Sequence, residues 1–165
     1  MKKLALFIVV MLFALISTYA QGPLKKGEIQ INAGVGLGEH SIPVYGGVDF
    51  GIGNDFSLGL ETSYRNRNDH YSVWSFSGNA NYHFNRILSI PRSFDFYAGV
   101  NLGAYFYSYD DYYYDDYYHD DELSPLGVGL HVGGRFYLTP AVALNLEIGG
   151  GNAFSGGKFG VSFRL

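Results

Sequence analysis

The amino-acid sequence predicts an all-β protein, an eight-stranded antiparallel up-and-down transmembrane β-barrel. Apolar and polar residues alternate with a period of two in eight segments, and no stretch after Gln21 has the 3.6-residue apolar period of a helix. The segment lengths cluster near the ~9–11 residues that a tilted strand needs to cross a bilayer. All five prolines fall before, between or at the first residue of these segments. Proline has no N–H to donate to a strand ladder, so this placement supports the segment boundaries.

Residues 1–20 have the pattern of a cleaved secretory signal peptide. Two lysines precede an unbroken apolar run of 13 residues, Leu4–Ile16, and small residues lead to the expected cleavage after Ala20. The run is shorter than the ~20 residues of a membrane-spanning helix. We therefore expect export through the general secretory route, followed by a short N-terminal lead at residues 21–26 and a barrel domain at residues 27–165.

The eight predicted strands carry their apolar residues on one face. They are Glu28–Leu37, Val44–Ile52, Phe56–Tyr64, Val73–Phe84, Phe94–Phe106, Leu126–Leu138, Val142–Ile148 and Lys158–Leu165. The other face is rich in Gly, Ser, Asn and Tyr, which suits the cramped interior of an eight-stranded barrel. Aromatic residues of the apolar face cluster near strand ends, as in the girdles at membrane interfaces. These two features favour a membrane barrel over a soluble sandwich.

The connections predict an orientation. If both termini lie in the periplasm, the inner turns fall at residues 53–55, at residues 85–93 and around Thr139-Pro140. The outer loops are then residues 38–43, 65–72, 107–124 and 149–157. The longest connection faces the medium, as transmembrane barrels prefer.

The sequence resembles the family of small eight-stranded outer-membrane barrels that includes the OmpA membrane domain and OmpX. The resemblance covers the whole mature chain and includes the final stretch Phe159–Leu165, which is similar to the family's assembly signal. Leu165 departs from that signal, because an aromatic residue is more usual there. The resemblance implies residence in the outer membrane of a Gram-negative-type bacterium, contact with outer-membrane lipid, and assembly by the barrel-insertion machinery.

Composition excludes several functions. The chain has no cysteine, so disulfides, thiolate metal sites and lipid attachment at a cysteine are absent. After removal of the signal, 9 basic and 15 acidic side chains remain, and seven of the acids lie in one segment, Ser108–Glu122. No basic stripe is present, so nucleic acid is not an expected partner.

Ionisable residues on the polar face are predicted to form a structural network inside the barrel. They are Glu28, Asp49, Glu61, His83, Asp95, His131, Arg135, Glu147 and Arg164. A charge in a narrow lumen is costly unless it is paired and hydrogen-bonded. Strand order predicts Glu28 beside Arg164 at the closing seam, and Glu147 close to His131. His83, Asp95 and Arg135 are predicted at one level. A gated ion or proton path is the alternative to a network that plugs the barrel.

The segment Ser108–Glu122, SYDDYYYDDYYHDDE, contains seven carboxylates and six tyrosines without a Lys or Arg. Its candidate partner-binding residues are Asp110, Asp111, Tyr112, Tyr113, Tyr114, Asp115, Asp116, Tyr117, Tyr118, Asp120, Asp121 and Glu122. An acidic run is often only a solvated loop. Carboxylates also bind Ca²⁺ or Mg²⁺, but the segment lacks the spacing and glycine turn of a known calcium loop. Tyrosines dominate many binding loops, so a cationic protein, a cationic peptide or a sugar is a candidate partner.

The sequence predicts a non-enzymatic outer-membrane surface protein of the structural or adhesion type, without a cofactor. Members of the family it resembles have several activities, so the fold alone does not choose one. Lipid-modifying barrels of this size use a His with a Ser and often an acid near the outer rim, and Glu39-His40-Ser41 has these residue types. A lipid-modifying enzyme and a secreted soluble β-barrel carrier are therefore the alternatives.

Overall fold

The chain forms one closed antiparallel barrel. The computed structural model describes residues 22–37, 42–66, 71–109, 126–151 and 156–165. The strands are β1 (Ile29–Leu37), β2 (Val44–Gly51), β3 (Phe56–Asn66), β4 (Tyr71–His83), β5 (Phe94–Tyr109), β6 (Leu126–Tyr137), β7 (Val142–Gly151) and β8 (Gly156–Arg164). Each strand pairs with its neighbours in sequence, and β1 also pairs with β8. The predicted eight-stranded up-and-down fold is therefore confirmed.

The barrel has two ends, here called the turn end and the loop end. The turn end carries the start of β1, the end of β8 and the connections β2–β3, β4–β5 and β6–β7. The loop end carries the other four connections, and part of each lies outside the described residues. β3 and β5 run past their predicted ends to Asn66 and Tyr109, because the hairpins continue to pair toward the loop end.

Glycines allow the closing seam between β1 and β8 to form. Gly34 pairs with Gly160 across the seam. A Cβ at Gly34 would lie 2.2 Å from the Phe159 carbonyl oxygen, and a Cβ at Gly160 would lie 2.3 Å from the Ala33 carbonyl oxygen. Real Cβ atoms do not approach a backbone this closely, so the observed seam requires glycine on both strands.

The barrel is apolar outside and polar inside. Large apolar side chains stay exposed on the outer surface, for example Leu60 at 62%, Leu130 at 65% and Ile148 at 59%. The buried side chains of the lumen are mainly polar: Gln30, Asn32, Asp49, Ser57, Asn81, His83, Asp95, Asn101, His131, Arg135, Asn145, Lys158 and Ser162. A continuous apolar exterior of this kind is a membrane-contact surface. It excludes the soluble-carrier alternative.

Aromatic rings meet on the outer surface at both ends. At the turn end, Tyr82 contacts Phe56 and Phe84 with ring centroids 5.0 and 4.9 Å apart. At the loop end, the Tyr64 and Trp74 rings lie 4.9 Å apart. Aromatic side chains favour the level of lipid headgroups, so these two belts bracket the apolar band.

The connection from β4 to β5 contains a helix that the alternation pattern did not predict. This helix, α1, spans Asn85–Leu88 and ends at Ser89, whose φ is 52°. The Asn85 side chain donates to the Phe94 carbonyl (2.5 Å) and accepts from the Phe96 amide (3.1 Å), so it ties the turn to β5. Four residues are too few to show a helical period in the sequence. No helix among the described residues is long and apolar enough to cross a membrane.

Candidate functional site

The polar lumen is the candidate functional site, and Arg135 lies at its centre. Its guanidinium donates to the Asp49 carboxylate (2.5 Å) and to the Asp95 carboxylate (3.4 Å). It also stacks 4.4 Å from the centroid of the Tyr97 ring. These groups come from three different strands, because alternate residues of every strand point inward. One buried cation thus pairs with two buried carboxylates, which removes most of the cost of placing them there.

Glycines opposite the large lumen side chains make room for them. A Cβ at Gly133 would lie 2.4 Å from the Tyr97 ring, and one at Gly59 would lie 2.2 Å from the Asp49 carboxylate. The small residues of the polar face therefore leave the space that a few large polar side chains occupy.

His83 connects two inward side chains on neighbouring strands. Its Nδ1 lies 2.8 and 3.0 Å from the two Asp95 carboxylate oxygens, and its Nε2 lies 3.0 Å from the Ser57 hydroxyl. Asn81 donates to the same hydroxyl at 3.3 Å. His83 and Asp95 are fully buried, and Ser57 is 1% exposed. The three groups have the order and the distances of a Ser-His-Asp array.

A second ionic cluster lies toward the loop end. The Lys158 ammonium contacts the Glu61 carboxylate at 2.9 Å and the Glu147 carboxylate at 2.8 Å. Tyr97 donates to the other Glu147 oxygen at 3.1 Å and so links this cluster to the Arg135 group. Tyr45 lies beside it, with its ring centroid 5.3 Å from the ammonium.

The lead folds across the mouth of the barrel at the turn end. Here the lead denotes the described part of the predicted segment, residues 22–26, together with Gly27. Arg164 donates to the Gly22 carbonyl (2.6 Å) and to the Tyr137 hydroxyl (2.5 Å), and it lies 3.7 Å from Glu28. The Leu24 side chain is completely buried. The N-terminal segment thus closes the turn end of the lumen.

One ion pair fixes the turns outside the membrane-spanning strands. Arg86 in α1 donates its Nε–H to the Asp55 carboxylate at 2.9 Å. Asp55 is buried in the β2–β3 turn, whereas the Arg86 side chain is mostly exposed. The hydrogen bonds and the charge of Asp55 raise the pKa of the Arg86 guanidinium. The guanidinium therefore stays charged and holds two neighbouring turns together.

The lumen is packed rather than open. The central cavity among Asp49, Tyr97, Arg135 and Glu147 has a volume of about 20 Å³. That is room for about one water molecule. A cavity nearer the loop end, beside Tyr45 and Lys158, has a volume of about 70 Å³. Among the described residues, the central cavity is too small for a wide aqueous channel.

The structure places all nine predicted interior residues on the lumen side or at its rims. It brings His83, Asp95 and Arg135 together, and Glu28 lies next to Arg164. Glu147 was predicted within a residue or two of facing His131, and it pairs with Gly133, two residues from His131 on β6. Its carboxylate contacts Lys158 and Tyr97. His131 hydrogen-bonds Asn81 at 2.7 Å.

Sequence reasoning missed Lys158 and the lumen tyrosines Tyr45, Tyr97 and Tyr137. Lys158 has the same parity as Ser162 and Arg164 in β8, so alternation alone assigns it to the lumen. Neutral tyrosines carry no charge that would mark them as network members. Only the structure shows that their rings contact cations of the network: Tyr97 contacts Arg135, Tyr45 contacts Lys158 and Tyr137 contacts Arg164.

The other candidates lie outside the described residues. These are the acidic segment from Asp110 to Glu122 and the loop residues Glu39, His40 and Ser41. Within the ranges that the structure does describe, no group of three or more His, Asp and Glu side chains is arranged to hold a metal ion.

The fold and the filled polar lumen define a transmembrane β-barrel of the small outer-membrane type. The sequence profile of the family described as acyloxyacyl hydrolase, C-terminal domain, matches residues 38–158. The chain therefore belongs to this family. No curated protein matches the chain in sequence.

Solved structures share the fold at low sequence identity. The N-terminal barrel of Pseudomonas aeruginosa OprF has a TM-score of 0.62 and 16% identity, covering 85% of this chain and 98% of that one. OprG of Pseudomonas aeruginosa has a TM-score of 0.57 and 9% identity, covering 88% and 99%. A de novo designed transmembrane barrel has a TM-score of 0.60 and 14% identity, covering 86% and 98%. Since a designed barrel matches as well as natural ones, the likeness concerns the fold and not an activity.

Proposed function

We propose that the protein is a surface protein of the outer membrane of a Gram-negative-type bacterium, with a structural or adhesion role that needs no catalytic step. The observation that carries the proposal is the packed lumen, whose central cavity of about 20 Å³ has room for about one water molecule. A barrel packed in this way serves as a support for its loops. The strands β5 and β6 hold the acidic tyrosine-rich segment at the loop end, which faces the medium in the predicted orientation.

The proposed partner of this segment is a basic protein or a polycationic peptide. Its carboxylates cannot be buried together, because like charges at close range repel strongly at low dielectric. We expect them instead to be available to an external cation, with the tyrosines as rigid contact area. Exposed charges are screened over ~8 Å at physiological ionic strength, so binding should weaken as salt is added.

The experiment measures binding of a fluorescent polylysine peptide to the barrel in vesicles over a range of NaCl concentrations. The test variant changes the six aspartates between Asp110 and Asp121 to Asn. The control changes acids of two other loops, Glu39→Gln with Asp69→Asn. We expect salt-sensitive binding to the parent and the control, and its loss in the test variant. Equal binding by all three proteins, or no binding by the parent, contradicts the proposal.

A second candidate is hydrolysis of an ester-linked acyl chain of an outer-membrane lipid. The family match over residues 38–158 favours it. The residue types Glu39-His40-Ser41 in the first loop suit such chemistry, since a serine nucleophile needs a base beside it. The mass of lipid A from cells producing the parent or the His40→Ala and Ser41→Ala variants tests it. Loss of one acyl chain only with the parent would support the enzyme.

A further inference from the structure

Ser57 has two hydrogen-bonding neighbours in the lumen, Asn81 and His83. Asn81 donates its amide N–H to the Ser57 oxygen, and the Asn81 oxygen is occupied by His131. The Ser57 oxygen lies 3.0 Å from His83 Nε2, within hydrogen-bond distance. On the other side of the ring, His83 Nδ1 lies 2.8 Å from the Asp95 carboxylate, an acceptor that orients the imidazole. A histidine oriented by a carboxylate at one ring nitrogen, with the other nitrogen beside a serine hydroxyl, is the arrangement that activates a serine nucleophile.

The lead covers this array from the turn end. Ser57 pairs with Gly51 on β2, and both positions face the lumen. A Cβ on Gly51 would lie 1.9 Å from the Lys25 carbonyl oxygen and 3.3 Å from that of Leu24. The backbone of the lead thus fills the lumen beside Ser57. It is held there by the Gly27 amide, which donates to the Gly51 carbonyl at 2.9 Å.

We propose that Ser57 is an activated nucleophile that the lead keeps covered, and that it accepts the acyl group of small esters entering at the turn end when the lead moves away. The space vacated by the lead includes the pocket of the buried Leu24 side chain. An acyl chain of about four carbons fits a pocket of that size. The site lies at the opposite end from the acidic segment, so it is independent of the proposed surface function.

The reaction uses only groups of this chain, the ester and water. Ser57 Oγ forms a bond to the ester carbonyl carbon while its proton passes to His83 Nε2. The alkoxide then leaves and takes that proton from His83. Water attacks the acyl-serine, gives its proton to His83, and releases the acid as the proton returns to Ser57. The Asn81 amide donates to Ser57 Oγ at 3.3 Å in the covered state, and it would have to turn to the carbonyl oxygen of the ester to stabilise the oxyanion.

The test uses the full chain, folded in detergent, and a small alkyl fluorophosphonate probe. Attack by Ser57 forms an O–P bond, releases fluoride and leaves a phosphonylated serine that peptide mass spectrometry locates. The variants Gly51→Ala and Leu24→Ala displace the lead in two independent ways. In each of them we expect Ser57 to be labelled at least tenfold faster than in the parent. Adding His83→Gln should slow labelling by roughly 100-fold, the usual contribution of a general base.

Ser162 is the matched control. It is also 1% exposed and hydrogen-bonded in the lumen, to Asn145 and Asn32, and none of the histidines that the structure describes hydrogen-bonds to it. Ser162 should stay unlabelled in every variant, and Ser162→Ala should not change labelling of Ser57. Heat-dependent gel mobility identifies the folded fraction, and Leu24→Ala suffices if Gly51→Ala fails to fold. If Ser57 stays unlabelled in a folded lead variant, or reacts equally fast with Gln at position 83, the proposal is wrong.

Discussion

Replacing Arg135 by Met should strongly destabilise the barrel. Arg135 is 3% exposed and is the cation beside two buried carboxylates, Asp49 and Asp95. Methionine keeps much of the volume but removes the charge and the donors. Both carboxylates then lose a cationic partner inside a lumen where water cannot replace it.

The expected size of the effect follows from what each carboxylate keeps. Removing one partner of a buried ion pair typically costs about 3–5 kcal/mol. Asp95 retains its contact with His83 at 2.8 Å, and Asp49 retains a hydrogen bond from Asn32 at 2.9 Å. We therefore expect a loss near the lower limit, about 3 kcal/mol in the free energy of unfolding.

Urea unfolding of the barrel in lipid vesicles measures this loss, and heat-dependent gel mobility gives an independent ranking. Arg92→Met is the matched control, since Arg92 is an exposed arginine of the β4–β5 turn and its replacement should leave the unfolding curve unchanged. Adding Asp49→Asn to Arg135→Met should recover part of the loss, because one uncompensated charge disappears with it. If the free energy of unfolding of Arg135→Met lies within about 1 kcal/mol of that of the parent, the inference that Asp49 and Asp95 need this cation is refuted.

Three further predictions concern the seam, the membrane surface and the turn end. Gly34→Ala should prevent closure of the barrel, since its Cβ would lie 2.2 Å from a carbonyl oxygen. The control is Gly150→Ala, whose Cβ meets no atom within 4 Å, so this variant should fold normally. Gel mobility after refolding compares the two variants. Leu60→Arg should lower the free energy of unfolding in vesicles by about 2–4 kcal/mol, and Leu126→Arg, at the edge of the apolar band, by about 0–1 kcal/mol. Equal losses for the two variants would contradict the membrane placement. Arg164→Met should lower the temperature at which the folded band disappears and speed tryptic cleavage within the lead, because its bond to the lead is lost; an unchanged digest would speak against the closed turn end.

Much of the fold was predictable because alternation is a local property. In β5 every second residue from Phe94 to Phe106 is apolar, and a strand turns those side chains to one face whatever its neighbours are. Eight such segments with short turns at one end permit few arrangements other than a closed up-and-down barrel. The short helix α1 was not predictable in this way, because four residues contain only about one helical turn.

The composition of the lumen was also predictable, but its pairing was only partly so. The alternation of inward and outward residues along each strand assigned Asp95, Arg135 and Glu147 to the interior from the sequence. The partner of Glu147 depends on the stagger between β7 and β8, which places it opposite Lys158. A shift of two residues in that register keeps every side chain on its face and changes every partner, so periodicity contains no information about it.

The sequence by itself determined the strands, their two faces and the polar content of the interior, since these follow from residue type and a period of two. Only the tertiary structure decided which polar groups meet. The Ser57, His83 and Asp95 side chains come from β3, β4 and β5, and the lead reaches Gly51 and Arg164 from outside the strands. These contacts depend on the registers around the closed ring and on the inward fold of the lead. Both are properties of the assembled barrel, because each is defined by distances between segments that are far apart in the chain.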